Sequence, residues 1–220
     1  MAAPDTPDHD CPRCPRLVAF RNDNRIAHPD WFNGPVPTFG GRDARLLIVG
    51  LAPGLRGANR TGRPFTGDFA GDLLYATLLD CGLATGIYEQ RPDDTLRLVD
   101  CAISNAVRCV PPQNKPLPEE IAHCRGFLAA TIAAMPRLTV IVALGRIAHD
   151  QVVRAAGEKL AARPFAHGRR HRFHSKTQRF VLFDSYHCSR YNTNTGVLTA
   201  DMFAALFKEV CAELETSRRS

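Results

Sequence analysis

Short apolar runs that alternate with helical stretches constrain this 220-residue chain more than any other feature. Four apolar runs are typical of buried strands and lie at residues 45–50, 96–107, 138–144 and 179–183. Helical spacing or helix-start signals predict helices at residues 69–81, 118–135, 146–156 and 198–214. Strands that alternate with helices favour a parallel sheet covered on both faces. We therefore expect an α/β fold, with residues 1–220 as a single three-layer domain around a central, mostly parallel four-stranded sheet flanked by helices.

The composition agrees with a globular protein. Hydrophobic residues make up 45% of the chain, and 28 Lys and Arg against 22 Asp and Glu give a net charge of +6. This basic excess suits a polyanionic partner without establishing one. No secretory signal and no apolar run long enough to span a bilayer are visible, so we expect a cytoplasmic protein without a membrane partner. Thiols stay reduced in the cytoplasm, so clustered cysteines indicate metal binding or catalysis before disulfides.

Residues 1–44 are rich in Pro, Asp, Asn and Gly, and we expect an irregular N-terminal segment. This segment carries the pair Cys11 and Cys14, and Cys109 and Cys124 follow on either side of a proline-rich loop. Four thiolates can hold a [4Fe–4S] cluster, and zinc accepts the same donors. A single Cys-x-x-Cys pair is common, so an unligated pair also remains open. The other four cysteines have no partner at ligand spacing, and those at 81, 101 and 211 fit small core side chains.

Three loops with unusual polar residues leave the carboxyl ends of predicted strands, at residues 51–68, 105–114 and 185–196. In the first loop, Phe65 offers a ring that can stack on a base, although an ordinary Gly-rich turn explains the loop's glycines as well. Asn105 presents a donor and an acceptor side by side, as one edge of a nucleobase does. His187 directly follows a strand and is placed to face the same cleft. Taken singly, a loop-capping Asn and a core or surface His are the commoner explanations.

Together, these motifs resemble the uracil-DNA glycosylase superfamily, and in particular its iron–sulfur branch, known as family 5 or type b. The resemblance is carried by Gly-Leu-Ala-Pro-Gly at residues 50–54, by residues 59–68 and 105–109, and by Tyr-His-x-Ser-x-x-Asn-Thr-x-Thr-Gly at residues 186–196. It implies a monofunctional DNA glycosylase of base-excision repair. Such an enzyme hydrolyses the N-glycosidic bond of uracil, and possible further substrates are hypoxanthine and thymine opposite guanine.

The resemblance also implies roles for individual residues. The ligands of a [4Fe–4S] cluster would be Cys11, Cys14, Cys109 and Cys124. The base would be bound at Gly50, Ala52 and Phe65. The catalytic residues would be Asn59, Asn105 and His187. The residues that press on the DNA strand would be Ser189, Arg190 and Asn192.

The chain departs from the wider superfamily at the residue that positions the attacking water. Many relatives in other branches carry Asp, Asn or Glu where this chain has Ala52. Asn59 is our first candidate for this task and Asp68 our second. An amide has no useful basicity, so Asn59 would only orient the water, and catalysis would be mostly electrostatic.

Two further departures concern the substrate range and the third loop. No tyrosine stands at Gly54 to exclude a 5-methyl group, which predicts a wider range of bases than uracil alone. Cys188 replaces the proline that usually follows the motif's histidine, and we expect it to loosen the loop. A basic stretch at residues 163–179 is either a DNA-facing flap or a solvated loop.

The expected partner is DNA that contains uracil or other deaminated bases, bound by a monomer associated with the nucleoid. Two alternatives keep the same fold. One is a damaged-DNA-binding protein without turnover, since Ala52 lacks a group that activates water, and the other is a uracil-only glycosylase of the sister family. A third alternative is a zinc-binding α/β regulator without enzymatic activity.

Overall fold

The structure is a computed structural model that describes residues 5–174 and 179–217. It is built around one six-stranded sheet. The strands are β1 (Phe39–Gly40), β2 (Leu46–Gly50), β3 (Ala84–Thr85), β4 (Arg97–Leu98), β5 (Cys101–Asn105), β6 (Val140–Leu144), β7 (Arg170–His174) and β8 (Arg179–Ser185). The sheet has the order β1-β5-β2-β6-β8-β7, and β3 pairs with β4 separately. Strands β5, β2, β6 and β8 are parallel, whereas the edge strands β1 and β7 are antiparallel to their neighbours.

The prediction of four strands in the sheet is wrong, because both edge strands lack a continuous apolar run. β1 has only two residues, and β7 alternates exposed and buried positions. Such a half-buried edge strand does not show the apolar signature of a strand that is covered on both faces. The predicted strand at residues 96–107 is also divided, since Asp100 adopts a positive φ of 52° between β4 and β5. Of the basic stretch, residues 170–174 form β7, and residues 175–178 lie outside the described part of the chain.

Helices cover both faces of the sheet. They are α1 (Pro15–Ala27), α2 (Ala58–Thr61), α3 (Phe69–Asp80), α4 (Pro118–Ala133), α5 (Arg146–Ala155), α6 (Arg190–Asn194) and α7 (Ala200–Thr216), with 3₁₀ turns at Pro112–Asn114 and Leu160–Ala162. The four predicted helices are confirmed as α3, α4, α5 and α7. Among the described residues, every helix is too short or too polar to cross a bilayer.

Helix α1 corrects the expectation that residues 1–44 are irregular throughout. Pro15 opens this helix at its first position, where a missing backbone N–H costs nothing. Its buried face consists of Leu17, Arg21 and Asn24, at helical spacing. Two of these three residues are polar, so the stretch lacks the apolar periodicity by which a helix is recognised in a sequence.

Successive side chains along each strand point to opposite faces of the sheet, where they pack into two separate cores. Leu46 and Ile48 of β2 face the core formed with α3 and α7, whereas Leu47 and Val49 face the core formed with α4 and α5. The predicted α/β architecture, with helices on both faces of a mostly parallel sheet, is confirmed. Gly50 and Asn105 are register partners at the carboxyl ends of β2 and β5, and β8 ends at the same edge of the sheet. The loops that follow these three strands therefore meet.

Candidate active site

A cavity of about 390 Å³ opens at the carboxyl edge of the sheet. All three loops line it, with Leu51, Ala52, Gly54, Phe65 and Asp68 from the first, Asn105 and Asn114 from the second, and His187, Ser189 and Arg190 from the third. Ala58, Phe69 and Ala70 add further apolar wall. An apolar cavity with a few convergent polar groups suits a flat ring that hydrogen-bonds at its edge.

Asn105 closes the inner end of the cavity with an unsatisfied amide. Its side chain is 2% exposed, and its Oδ1 has no hydrogen-bond partner among the described residues. A Cβ added to Gly50 would lie 2.5 Å from this oxygen, so glycine is needed for the close approach. Because no described protein group pairs with this oxygen, it is available to accept a hydrogen bond from a ligand in the cavity.

Phe65 forms one wall and is held in a strained conformation. Its φ is 53°, in a region that costs a bulky residue about 1–3 kcal/mol. The Tyr88 hydroxyl donates to the Phe65 carbonyl oxygen at 3.1 Å, and a Cβ on Gly71 would lie only 1.8 Å from that oxygen. Beside Phe65, Arg63 makes two 2.7 Å hydrogen bonds to Asp94, and both side chains are buried. These contacts fix the ring of Phe65 before any ligand arrives.

His187 faces Phe65 across the cavity. The centroids of the two rings are 6.0 Å apart, with an angle of 26° between their planes. Burial lowers the pKa of His187 to about 4, so the imidazole is neutral near pH 7. In the described parts of the chain, no protein group hydrogen-bonds to its ring nitrogens. A neutral ring has one N–H donor, which is therefore available to a ligand.

The loop that carries His187 is anchored from below. Cys188 is completely buried and donates to the Ala70 carbonyl oxygen at 3.5 Å. The Asn192 side chain donates to the His187 carbonyl oxygen at 2.8 Å. The expectation that Cys188 loosens this loop is therefore wrong, since the thiol occupies a core position under α3.

Asp68 places a carboxylate on the cavity wall. It caps α3, where its Oδ1 accepts from the Gly71 amide at 3.0 Å. A Cβ on Gly57 or Gly54 would lie 2.6 or 3.3 Å from its Oδ2, so glycine again makes room. Burial is the main cause that raises the pKa of this carboxyl, and the charge of Asp72 contributes. A carboxylate with a raised pKa is suited to accept a proton from water.

Asn59 does not line the cavity, which corrects its position as first candidate for holding the water. It lies on α2, is 1% exposed, and donates through Nδ2 to the Asn33 side-chain oxygen at 2.9 Å. Asn33 in turn donates to the carbonyl oxygens of Asn24 and His28 at the end of α1. Asn59 thus fastens the N-terminal segment to the loop, and Asp68 becomes the first candidate.

Two of the residues predicted to contact DNA, Ser189 and Arg190, line the cavity. Ser189 caps α6, and the Arg190 guanidinium lies 5.2 Å from the centroid of the Phe69 ring. Asn192 was also predicted to contact DNA, but its side-chain amide donates to the main-chain oxygen of His187. Tyr191 was missed by the sequence analysis and is 73% exposed beside the cavity mouth. An aromatic residue in a polar loop, the signal that identified Phe65, would have identified Tyr191 as well.

A buried carboxylate beneath the third loop was also missed. Asp184 of β8 is 2.6 Å from Nδ1 of His149 through one oxygen and 3.1 Å from Nε2 of His171 through the other. All three side chains are buried. The spacing of these residues in the chain gives no sign of the contact, since they come from a helix and two strands.

The four predicted cluster cysteines meet at a second site. Cys14 precedes α1, Cys109 follows β5, and Cys124 lies on α4. These three are buried and Cys11 is half-buried, in an apolar cluster that includes Phe127. Burial, and then the neighbouring thiols, raise the pKa of Cys14 to about 11 and that of Cys109 to about 12. Thiolates here would therefore need the positive charge of a metal centre.

Four thiols in one enclosed site suit a [4Fe–4S] cluster, and a single zinc ion accepts the same donors. Among the described residues, a separate group of possible ligand atoms within 4.8 Å of one another is formed by His149, His171 and Asp184.

The fold and the cavity define a class of protein, namely α/β proteins that bind a flat, hydrogen-bonding ring at the carboxyl edge of a parallel sheet. The family model described as the uracil DNA glycosylase superfamily matches residues 37–211. The type-5 uracil-DNA glycosylase of Thermus thermophilus is 44% identical over 205 residues, which cover 90% of this chain and 91% of that protein. Those of Pyrobaculum aerophilum and Mycobacterium tuberculosis are 36% and 39% identical, over 92% and 90% of this chain and 88% and 76% of their own lengths.

The chain belongs to the uracil DNA glycosylase superfamily. The predicted resemblance is thereby confirmed, and with it the prediction of a DNA glycosylase of the hydrolase class.

Proposed function

We propose that this protein acts as a monomer that removes uracil, and further deaminated bases, from DNA by hydrolysing the N-glycosidic bond. The observation that carries the proposal is that Asn105, Phe65 and His187 converge from three loops on one cavity, in which the Asn105 amide oxygen has no protein partner among the described residues. A base within a duplex cannot reach this amide, so the nucleotide has to turn out of the stack first. Unpairing is easiest at mismatches, which favours deaminated bases.

The residues around the cavity suit the charge that develops when the base departs. The base becomes an anion and the sugar gains oxocarbenium character. Neutral His187 can donate a hydrogen bond to the anion, and Asn105 can bind its edge while Phe65 stacks on its face. Because these groups are fixed in the free protein, little reorganisation accompanies the reaction.

Asp68 is our candidate for positioning the attacking water and accepting its proton. It is the acidic side chain on the cavity wall, and its carboxylate is oriented by capping α3. The small side chain of Ala52 on the same wall contributes no polar group. The water therefore depends on Asp68 rather than on Ala52 or Asn59.

Part of the cavity lining consists of small residues, Ala52, Gly54 and Ala58. This leaves room for a 5-methyl group or a larger ring, which supports activity on thymine opposite guanine and on hypoxanthine. A panel of lesion duplexes tests the range, and release of uracil alone would favour the uracil-only alternative.

The four cysteines fit a [4Fe–4S] cluster in donor chemistry and enclosure. Cys11, Cys14, Cys109 and Cys124 would hold it, and when bound the cluster would fasten the N-terminal segment to α4. Iron and acid-labile sulfide in the purified protein, measured against zinc, test this assignment.

The central experiment is a cleavage assay on an end-labelled duplex with one U·G pair, followed by alkali. We expect a strand break that needs both protein and alkali, with multiple turnovers per enzyme. Asp68→Asn keeps the helix cap but removes the base, so the single-turnover rate should fall by about 10²–10⁴-fold. Asp201→Asn is the matched control, because Asp201 is an exposed acid in the first turn of α7 and does not line the cavity. Tight binding of the uracil duplex without release of the base would instead support the non-turnover binder.

A further inference from the structure

Arg108 is buried beside the four-cysteine site without a carboxylate partner. It is 1% exposed and directly precedes Cys109. Its guanidinium donates to the hydroxyls of Thr38 and Thr131 at 2.9 and 2.8 Å, and to the main-chain oxygen of Asp5 at 3.4 Å. Its Nε has no partner. All three acceptors are neutral, so the charge of Arg108 is not balanced by its hydrogen bonds.

Arg21 on α1 repeats this arrangement on another side of the same site. It is 3% exposed, and both terminal nitrogens lie 3.3 Å from the main-chain oxygen of Cys11. One of them also lies 4.0 Å from the sulfur of Cys109. The Nε of Arg21, like that of Arg108, is buried without a partner.

The other two buried arginines of the described chain are paired with acids. Arg63 makes a two-pronged ion pair with Asp94, and Arg45 binds Asp100. Burying a cation without a counter-charge is strongly unfavourable. Of these four arginines, only Arg21 and Arg108 lack the carboxylate. The Arg21 guanidinium lies 4.0 Å from the sulfur of Cys109, and Arg108 directly precedes that cysteine in the chain. The negative charge that balances them is therefore expected in the cysteine site itself.

We propose that Arg21 and Arg108 are the counter-charges of a net-negative metal–thiolate centre held by the four cysteines. The proposal rests on the cluster assigned above, since a [4Fe–4S] core with four thiolate ligands carries net negative charge. Net charge and hydrogen bonds to the sulfurs set the reduction potential and the retention of such centres. Because reduction adds negative charge, both arginines favour the reduced form and raise the potential of the centre.

The experiment compares variants at three arginines, each purified with the centre in place. Arg21→Gln removes the buried charge, and Arg21→Lys keeps it. Arg13→Gln is the matched control, because Arg13 is exposed beside the same site, with its guanidinium 4.5 Å from the centroid of the Phe127 ring. Three readouts are measured: metal and sulfide per chain, the midpoint potential by dye-mediated titration, and the rate of metal loss to a chelator. Should Arg21→Gln fold poorly, Arg108→Gln and Arg108→Lys repeat the same comparison at the second buried arginine.

We expect Arg21→Gln to shift the potential to a more negative value and to speed metal loss by about 10–100-fold. Arg21→Lys and Arg108→Lys should stay close to the wild type, and Arg13→Gln should change little because solvent screens its charge. Equal potentials and equal loss rates in Arg21→Gln and Arg13→Gln would overturn the proposal while leaving the cluster intact. Wild-type protein without iron and sulfide would instead refute the cluster assignment, and the counter-charge proposal with it.

Discussion

Replacing Asn105 by alanine should separate stability from activity. No described protein group pairs with the buried amide oxygen of Asn105, so removing it leaves no protein partner unsatisfied. Alanine therefore removes mainly the packing contacts of the side chain. We therefore expect the free energy of unfolding to change by no more than about 1 kcal/mol, which corresponds to about 2–4 °C in Tm for a chain of this length.

The loss of activity should be much larger. The amide can make two hydrogen bonds to the edge of a base that becomes negatively charged, and together these are worth about 2–4 kcal/mol. At about 1.4 kcal/mol per factor of ten, kcat/KM for a U·G duplex should fall by about 30- to 700-fold.

Asn33→Ala is the matched comparison. Asn33 is equally buried, but its side chain makes hydrogen bonds to Asn24, His28 and Asn59, and its φ is 44°. Its removal should lower the free energy of unfolding by several kcal/mol, because it leaves buried partners unpaired. Urea unfolding and single-turnover excision are measured on both variants. If Asn105→Ala unfolds as easily as Asn33→Ala and keeps its kcat/KM, Asn105 is a structural loop residue and its assignment to the base edge is wrong.

Three further predictions concern the same edge of the sheet. Gly50→Ala would place a Cβ 2.5 Å from the Asn105 oxygen, and the displaced amide should cost about a hundredfold in single-turnover rate while the protein stays folded by circular dichroism. Because burial raises the pKa of Asp68, the acid limb of the pH–rate profile should lie above the range of an ordinary aspartate and disappear in Asp68→Asn. Burial alone would lower the pKa of His149, but the hydrogen bond to Asp184, the charge of that carboxylate and the hydrogen bond to Arg163 together raise it. The stability lost in His149→Gln should therefore be largest below about pH 6.5 and shrink as the pH rises through the folded pKa, as followed by urea unfolding.

The buried part of the fold could be predicted because its signal is local. Strands β2 and β6 are continuous apolar runs, and each is covered by helices on both faces. The edge strand β7 could not be predicted in this way, since only His171 and Phe173 of its five residues are buried. Its pairing with β8 supplies the stability that its own composition does not indicate.

The candidate site was predictable to the level of loops but not of every side chain. Asn59 and Asp68 lie in one Gly-rich loop, and the sequence alone led us to rank Asn59 before Asp68. Their difference comes from Asn33, whose contact with Asn59 turns that side chain away from the cavity. Arg21 and Arg108 likewise resemble any other arginine in the sequence, because burial and the lack of an acid are properties of the folded chain.

The neighbouring cysteine site gives a physical reason why the position of Ala52 does not carry an acidic residue. Ala52 lines the cavity and also packs against the apolar cluster around Cys14, Cys109 and Cys124. A carboxylate at this position would be desolvated against that cluster, and the proposed [4Fe–4S] centre would add negative charge beside it; both effects oppose its ionisation. Such a group would be a poor base, whereas Gly54 and Gly57 leave room for the carboxylate of Asp68. On this argument, the proposed centre and the position of the water-activating group are linked, because negative charge next to Ala52 disfavours a carboxylate there and leaves Asp68 to supply it.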